Sequence, residues 1–163
     1  MNNQTLHNLL KSNAGFAAIV LRVPVGIILI AHGAQKLFGW FGGYGLEGTG
    51  QWMASIGLEP GYLMALLAGS AEFFGGLALV IGMLTRPAAA VSAFTMLVAI
   101  FSVHIDHGLF MSNNGYEYAL ALFAATLALM IQGAGSYSVD NMVAKNVSGG
   151  SSVNQSAHSK QAA

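Results

Sequence analysis

The apolar stretch from Gly61 to Leu84 is interrupted by one charged residue, Glu72. A stretch of this length is sufficient to cross a bilayer as a helix. A charge near the middle of such a helix costs about 2.5–3.5 kcal/mol on insertion scales. We therefore expect Glu72 to have a partner or a function inside a helix bundle, away from the acyl chains.

Three more apolar segments have similar lengths. They run from Ala14 to Phe38, from Pro87 to Ile105 and from Tyr116 to Ala134. Hydrophobic residues make up 55% of the chain and charged residues 7%, whereas about a quarter of the residues in a soluble domain are charged. Because a spanning segment must satisfy its own backbone, this predicts an all-α fold, a four-transmembrane-helix antiparallel bundle.

The basic residues predict the orientation and the domain limits. Lys11, Arg86, Lys145 and Lys160 fall on one side of such a bundle, which the positive-inside rule places in the cytoplasm. We expect a cytoplasmic segment over 1–13, a membrane domain over 14–140 and a disordered cytoplasmic tail over 141–163. The protein would then be a multi-pass protein of the bacterial inner membrane, with both termini cytoplasmic and its first segment retained as an anchor.

The loop between the first two segments is rich in glycine. Residues 43–48 match the dinucleotide-binding fingerprint by letters, but no strand precedes them and no βαβ unit surrounds them, so nucleotide binding is not predicted. Thr49 is expected to cap a short helix that runs through Ile56 and ends at Gly57. This helix would lie on the outer membrane face or form a lid over the bundle.

Several function classes are excluded by composition. The chain has no cysteine, so it has no disulfides, thiol exchange or thiolate-held metal clusters of its own. Its formal net charge is zero, which argues against a nucleic acid partner. Redox work would need a bound cofactor, a quinone or a partner subunit.

The ionisable residues predict two polar layers. Helical geometry puts Arg22, His32 and Lys36 within an arc of about 80° on the first helix. Glu72 shares its face with small residues that permit close helix packing, namely Ala65, Ala68, Gly69, Gly75 and Gly76. Depths estimated from the helix rise predict an Arg22–Glu72 pair. The second layer would join His32 and Lys36 to a set near the third and fourth helices: His104, His107 and Glu117.

Each layer has a structural alternative. A buried Arg22–Glu72 pair could serve only to fix the helix register, and Lys36 and Glu117 could be interface residues that extend to water. His32, His104 and His107 form a weak candidate set for zinc, copper or iron, but their spacing has no diagnostic geometry, and we do not predict a metal site.

The chain also resembles the DoxX family of small bacterial membrane proteins over about residues 14–140. The resemblance rests on Arg22 with Gly26, residues 32–39 (HGAQKLFG), residues 41–45 (FGGYG), Glu72 with Gly75 and Gly76, Gly82 before Thr85 and Arg86, His104, Gly108, Phe110, residues 115–119 (GYEYA), residues 133–135 (GAG), Ser138 and Asp140. It implies a four-helix inner-membrane protein. Family members are linked to redox functions, including the membrane part of thiosulfate:quinone oxidoreductases and a mycobacterial oxidoreductase complex.

The leading hypothesis is a membrane subunit of a redox system that binds a quinone-like molecule and supports electron and proton transfer from a partner oxidoreductase. Quinone reduction needs proton donors and a positive charge near the carbonyl oxygens. The predicted catalytic residues are Glu72, His32 and Glu117, and the predicted ligand-binding residues are Arg22, Lys36, His104, Tyr116 and Tyr118. The alternatives are a helical scaffold for membrane redox complexes and, last, a transporter of a small solute or protons. The sequence leaves the oligomeric state open, a homo-oligomer included.

Overall fold

The structure, a computed structural model, describes residues 3–146, and this part of the chain contains no strand. Its α-helices are α1 (Asn3–Leu10), α2 (Ala17–Phe38), α3 (Gly45–Ser55), α4 (Gly61–Ile81), α5 (Thr85–Ala99), α6 (Glu117–Gln132) and α7 (139–146). A π-helix, Ile100–His104, continues α5, and short 3₁₀ turns follow it at Ile105–His107 and Met111–Asn113. The predicted all-α fold is confirmed.

Three of these helices are long and apolar enough to cross a membrane: α2, α4 and the continuous helical segment Thr85–His107. The fourth apolar helix, α6, has 16 residues. At 1.5 Å per residue it is about 24 Å long, whereas the hydrocarbon core is about 30 Å thick. The fourth span therefore stays a prediction.

The α4–α5 turn lies a few residues earlier than expected. α4 ends at Ile81, and Gly82 adopts the left-handed conformation (φ 69°) that commonly ends helices. α5 starts at Thr85, so Pro87 is its third residue and still belongs to the first turn, where no intrahelical partner needs its missing N–H. The turn is formed by residues 82–84.

Two other limits predicted from the sequence are wrong. The short helix of the glycine-rich loop is present, but it starts at Gly45, so Thr49 is a buried residue inside α3 and does not cap it. At the other end of the chain, α7 covers residues 141–146, which were expected to be disordered. The rest of the predicted tail, 147–163, lies outside the described residues.

α2 and α4 pack against each other through glycines. A Cβ added to Gly33 would lie 2.4 Å from the backbone nitrogen of Phe73, and one added to Gly26 would lie 2.7 Å from the carbonyl oxygen of Gly76. No side chain larger than hydrogen fits at these crossings without moving the helices apart. The small-residue face of α4 therefore packs against α2, as predicted, and Glu72 lies on it with 4% of its surface exposed.

Candidate functional site

Glu72 forms an ion pair with Lys36. The distance between Lys36 Nζ and Glu72 Oε2 is 2.6 Å, and the side chains of Lys36 and Glu72 are 24% and 5% exposed. Lys36 lies in the last turn of α2, and Glu72 lies in the middle of α4. Because the two charges cancel, the pair is far less costly in an apolar environment than Glu72 alone would be.

The predicted Arg22–Glu72 pair is wrong. Arg22 Nη1 donates to the carbonyl oxygens of Leu79, at 2.9 Å, and of Val80, and Arg22 Nη2 donates to that of Tyr137. The carbonyls of Leu79 and Val80 belong to the last turn of α4, where carbonyl groups lack the usual i+4 donor, and that of Leu79 also accepts the N–H of Gly82 at 3.2 Å. Arg22 therefore satisfies a helix end.

The helix register explains why Lys36 reaches Glu72 and Arg22 does not. Since Gly26 is level with Gly76, Arg22 is level with Val80, about 12 Å along α4 from Glu72. Helical side chains also lean toward the N-terminus of their own helix. On α2 this direction brings the Lys36 side chain closer to Glu72 and takes that of Arg22 away from it.

The ion pair lies in the wall of a cavity of about 690 Å³. This volume is within the range of small-molecule sites, which is about 300–1,000 Å³. The cavity lies between α2, α4 and α5, with α3 and the glycine-rich loop over it. Besides the ion pair, its lining includes Gln35, Gly42, Gly43, Tyr44, Gly48, Thr49, Trp52, Met53, Leu58, Ala68, Thr95, Val98, Ala99, Val103, His104 and Asn114.

A second cavity, of about 420 Å³, reaches the same ion pair from the α6 side. His32 and Tyr118 line it, with their ring centroids 6.0 Å apart. Five residues line both cavities: Lys36, Glu72, Ala99, His104 and Asn114. The pair can therefore be reached from two sides, and we call the two cavities with their shared wall the central site.

His104 is positioned by the π-helix that it ends. π-Helical turns are rare and often occur at functional sites. His104 Nδ1 lies 2.7 Å from the carbonyl oxygen of Asn114. Because a carbonyl only accepts hydrogen bonds, Nδ1 carries the proton in the neutral ring, and Nε2 is left as the basic nitrogen.

Not all of the predicted site residues meet in the central site. Lys36, Glu72 and His104 line both cavities, and His32 and Tyr118 line the second. The other three lie outside both linings: Arg22, Tyr116 and Glu117. Glu117 Oε1 instead accepts a hydrogen bond from the backbone N–H of Met111 at 2.6 Å. Its observed role is to hold a turn of the loop before α6.

The three-histidine metal set is not assembled. Within residues 3–146 no group of three or more His, Cys, Asp or Glu side chains lies close enough to hold a metal ion. His107 belongs to the 3₁₀ turn after the π-helix and lines neither cavity.

A second polar cluster holds the opposite end of the bundle together, and we call it the end clamp. The carboxylate of Asp140 accepts the backbone N–H groups of Leu84, at 2.6 Å, and Thr85, at 2.8 Å, and so caps the start of α5. Arg86 Nη1 donates to the carbonyls of Met130, at 2.9 Å, and Ile131 at the end of α6. With Arg22, these residues join three helix ends.

Sequence reasoning missed the roles of Asp140 and Asn114. A capping residue is normally recognised next to the helix that it caps, but Asp140 is 55 residues from Thr85. Asn114 does carry a local signal, since it precedes Gly115 in a turn and adopts a left-handed conformation (φ 61°).

An apolar layer separates the central site from the end clamp. It is formed by buried side chains of four helices: Val25, Leu29, Leu79, Met96, Leu122 and Leu129. Three of these leucines, Leu29, Leu79 and Leu129, have no exposed surface. The layer contains no charged group, and the buried polar side chains at its level are Ser92 and Thr126, so no charged residue links the two polar regions through it.

Comparison with known proteins finds one matching family model and several related bacterial proteins. A family model described as DoxX matches residues 17–105. The Bacillus subtilis (strain 168) protein named "Putative oxidoreductase CatD" is 36% identical over 68% of this chain and 76% of its own length. The Escherichia coli (strain K12) inner membrane protein YqjF is 32% identical over 83% of this chain and 98% of its own length. The inner membrane protein YphA of the same organism is 31% identical over 75% of this chain and 86% of its own length. No solved structure matches significantly.

Proposed function

Since this chain belongs to the DoxX family of membrane proteins, we propose that it is the membrane-embedded subunit of a redox system and binds a quinone-like molecule in the central site. The observation that carries this proposal is the Lys36–Glu72 pair in the wall of a largely apolar cavity. The name of one relative, CatD, contains the word oxidoreductase, which supports the redox assignment.

The proposed chemistry assigns a role to each polar group of the site. A quinone becomes a quinol by taking up two electrons and two protons, one proton at each carbonyl oxygen. The electrons come from a partner oxidoreductase that carries a redox centre. Lys36 stabilises the negative charge that develops on one oxygen. The two protons come from water: Glu72, His104 at Nε2 and His32 take up protons and pass one to each carbonyl oxygen.

In the membrane, we propose four spans, with α6 as the fourth and both termini in the cytoplasm. The inner membrane location follows that of YqjF and YphA. In this orientation the central site lies in the outer half of the bilayer and the end clamp near the cytoplasmic surface. The apolar layer argues against the transport alternative, because a transported ion would meet no charged side chain between the two, only the buried hydroxyls of Ser92 and Thr126.

The test is direct binding and turnover. One sample of the purified protein is extracted with solvent, and the extract is analysed for co-purified quinones by mass spectrometry. A second sample, in lipid nanodiscs, is titrated with a short-chain quinone. We expect the wild type to bind the quinone and Glu72→Gln to weaken binding and slow the partner-dependent reduction, with helix content unchanged. Asp140→Asn is the matched control, since it neutralises a carboxylate of the end clamp.

The outcomes separate the candidate functions. No co-purified quinone, together with no titratable binding, would refute the quinone proposal. A stable oxidoreductase partner recovered from native membranes in the absence of any bound quinone would favour the scaffold alternative.

A further inference from the structure

α4 and α5 are in close contact at Gly75, about one turn from Glu72, and beyond this contact both helices line the larger cavity. A Cβ added to Gly75 would lie 2.8 Å from Ser92 Oγ, so the helices are in close contact there. About 10 Å further along α4, Ala68 lines the larger cavity together with Thr95 and Val98 of α5. We call the gap bounded by Ala68, Thr95 and Val98 the window.

The window lies within the apolar length of the two helices. Ala68 is about 10 Å from the start of α4 at Gly61 and about 20 Å from its end at Ile81. Val98 is 36% exposed, and neighbouring apolar side chains on the outer faces are more so, with Leu67 at 55% and Phe94 at 68%. In a bilayer these surfaces face acyl chains, so the window opens toward lipid.

The two ends of the larger cavity differ in chemistry. Its inner wall carries the Lys36–Glu72 pair and His104, whereas the window is bounded by an alanine, a valine and a threonine. The Thr95 hydroxyl donates its proton to the carbonyl of Val91, 3.0 Å away on its own helix, so it does not require a hydrogen-bond acceptor from a ligand. A ligand with a polar ring and a long apolar tail matches this polarity.

We propose that the window is the lateral entrance to the central site and that it holds the isoprenoid or alkyl tail of a lipid-soluble quinone while the ring reaches the ion pair. This inference rests on the proposed function and adds the substrate class, namely tailed quinones that enter from the bilayer. A water-soluble ligand would enter instead past Gly43 and Tyr44, beside α3.

The experiment compares two benzoquinones with the same ring, one without a tail and one carrying a decyl chain. Trp40→Phe leaves Trp52, which lines the cavity, as the only tryptophan, and quinone quenching of its fluorescence reports binding. All variants are made in this background and measured in nanodiscs at one lipid concentration. Partitioning of each analogue into lipid is then equal for all variants and cancels from their affinity ratios.

Ala68→Phe and Thr95→Phe narrow the window from its two sides. We expect each to weaken binding of the decyl analogue by about tenfold or more, a typical penalty for a steric misfit in an apolar pocket, and to change binding of the tailless ring by less than about twofold. Leu67→Phe is the matched control, because it enlarges an exposed neighbour outside the cavity lining, and should change neither affinity.

The contrary outcomes are distinct. If both window variants fold and weaken the two analogues equally, or weaken neither, the lateral entrance is refuted while quinone binding stands. If neither analogue binds the parent protein, the proposed function fails, and this inference fails with it.

Discussion

Arg22 and Lys36 lie on the same helix, about 21 Å apart, Arg22 buried near the start of α2 and Lys36 half-buried near its end. Arg22 donates to backbone carbonyls of α4 and of the segment before α7, and no side chain shares these bonds. Lys36 instead contacts a side chain, Glu72, in the wall of a cavity. A buried charge that binds only backbone fixes helix positions, whereas a charge pair beside open space can also bind a ligand.

The comparison extends to the carboxylates. Asp140 uses both oxygens to cap α5, so its hydrogen-bonding capacity is committed to the fold. Glu72 contacts Lys36 through one oxygen and lines both cavities. We therefore expect substitutions in the end clamp to change stability, and substitutions in the central site to change binding.

The largest effect on stability is expected for Arg22→Met. This variant removes a donor from three carbonyl groups, of which that of Leu79 keeps the N–H of Gly82. An unsatisfied buried group costs about 1–3 kcal/mol, so we expect a loss of about 2 kcal/mol or more. Thermal unfolding followed by circular dichroism measures it. A variant as stable as the wild type that has lost quinone binding would place Arg22 in the functional site and break the comparison.

The next largest effect is expected on binding, for the double variant Lys36→Met/Glu72→Met. Replacing both charges by apolar side chains leaves no charge unpaired, so stability should stay within about 1 kcal/mol of the wild type. Loss of the charged hydrogen bond to the ring should weaken quinone binding by about tenfold or more. Fluorescence titration measures the quinone affinity and thermal unfolding measures the stability, both on the same preparation. Full binding by the double variant would contradict the role assigned to the pair.

A smaller effect, on stability, is expected for Asp140→Asn. The amide retains an acceptor for one of the two capped N–H groups, so the free energy of unfolding should fall by about 1 kcal/mol. Quinone affinity should not change, because Asp140 lies in the end clamp, beyond the apolar layer. An equal loss of affinity and stability would mean that the two regions are coupled.

The smallest effect is expected for Glu117→Gln, which tests the catalytic role predicted from sequence. The amide oxygen can still accept the N–H of Met111, so stability should change by less than about 0.5 kcal/mol. Partner-dependent quinone reduction should proceed at the wild-type rate. A strong decrease in rate with normal stability would return Glu117 to the set of catalytic residues.

The sequence was sufficient for features that depend on one helix at a time. The apolar segments, the small-residue face of α4 and the inward orientation of Glu72 follow from composition and helical periodicity. The partner of Glu72 does not follow from these patterns. It depends on the register between α2 and α4, which is set by the glycine contacts between the two helices. The π-helix that ends at His104 and the capping of α5 by Asp140 likewise arise from tertiary packing, which leaves no local pattern.

Photolabelling with an azido-quinone tests the central claim most directly. The protein in nanodiscs is illuminated with the label, digested and sequenced by mass spectrometry, with and without excess unlabelled quinone. We predict competed labelling in the segments that line the central site, residues 29–53, 68–72, 95–104 and 111–122. Competed labelling confined to the end clamp, around Arg22 and Asp140, would contradict the account.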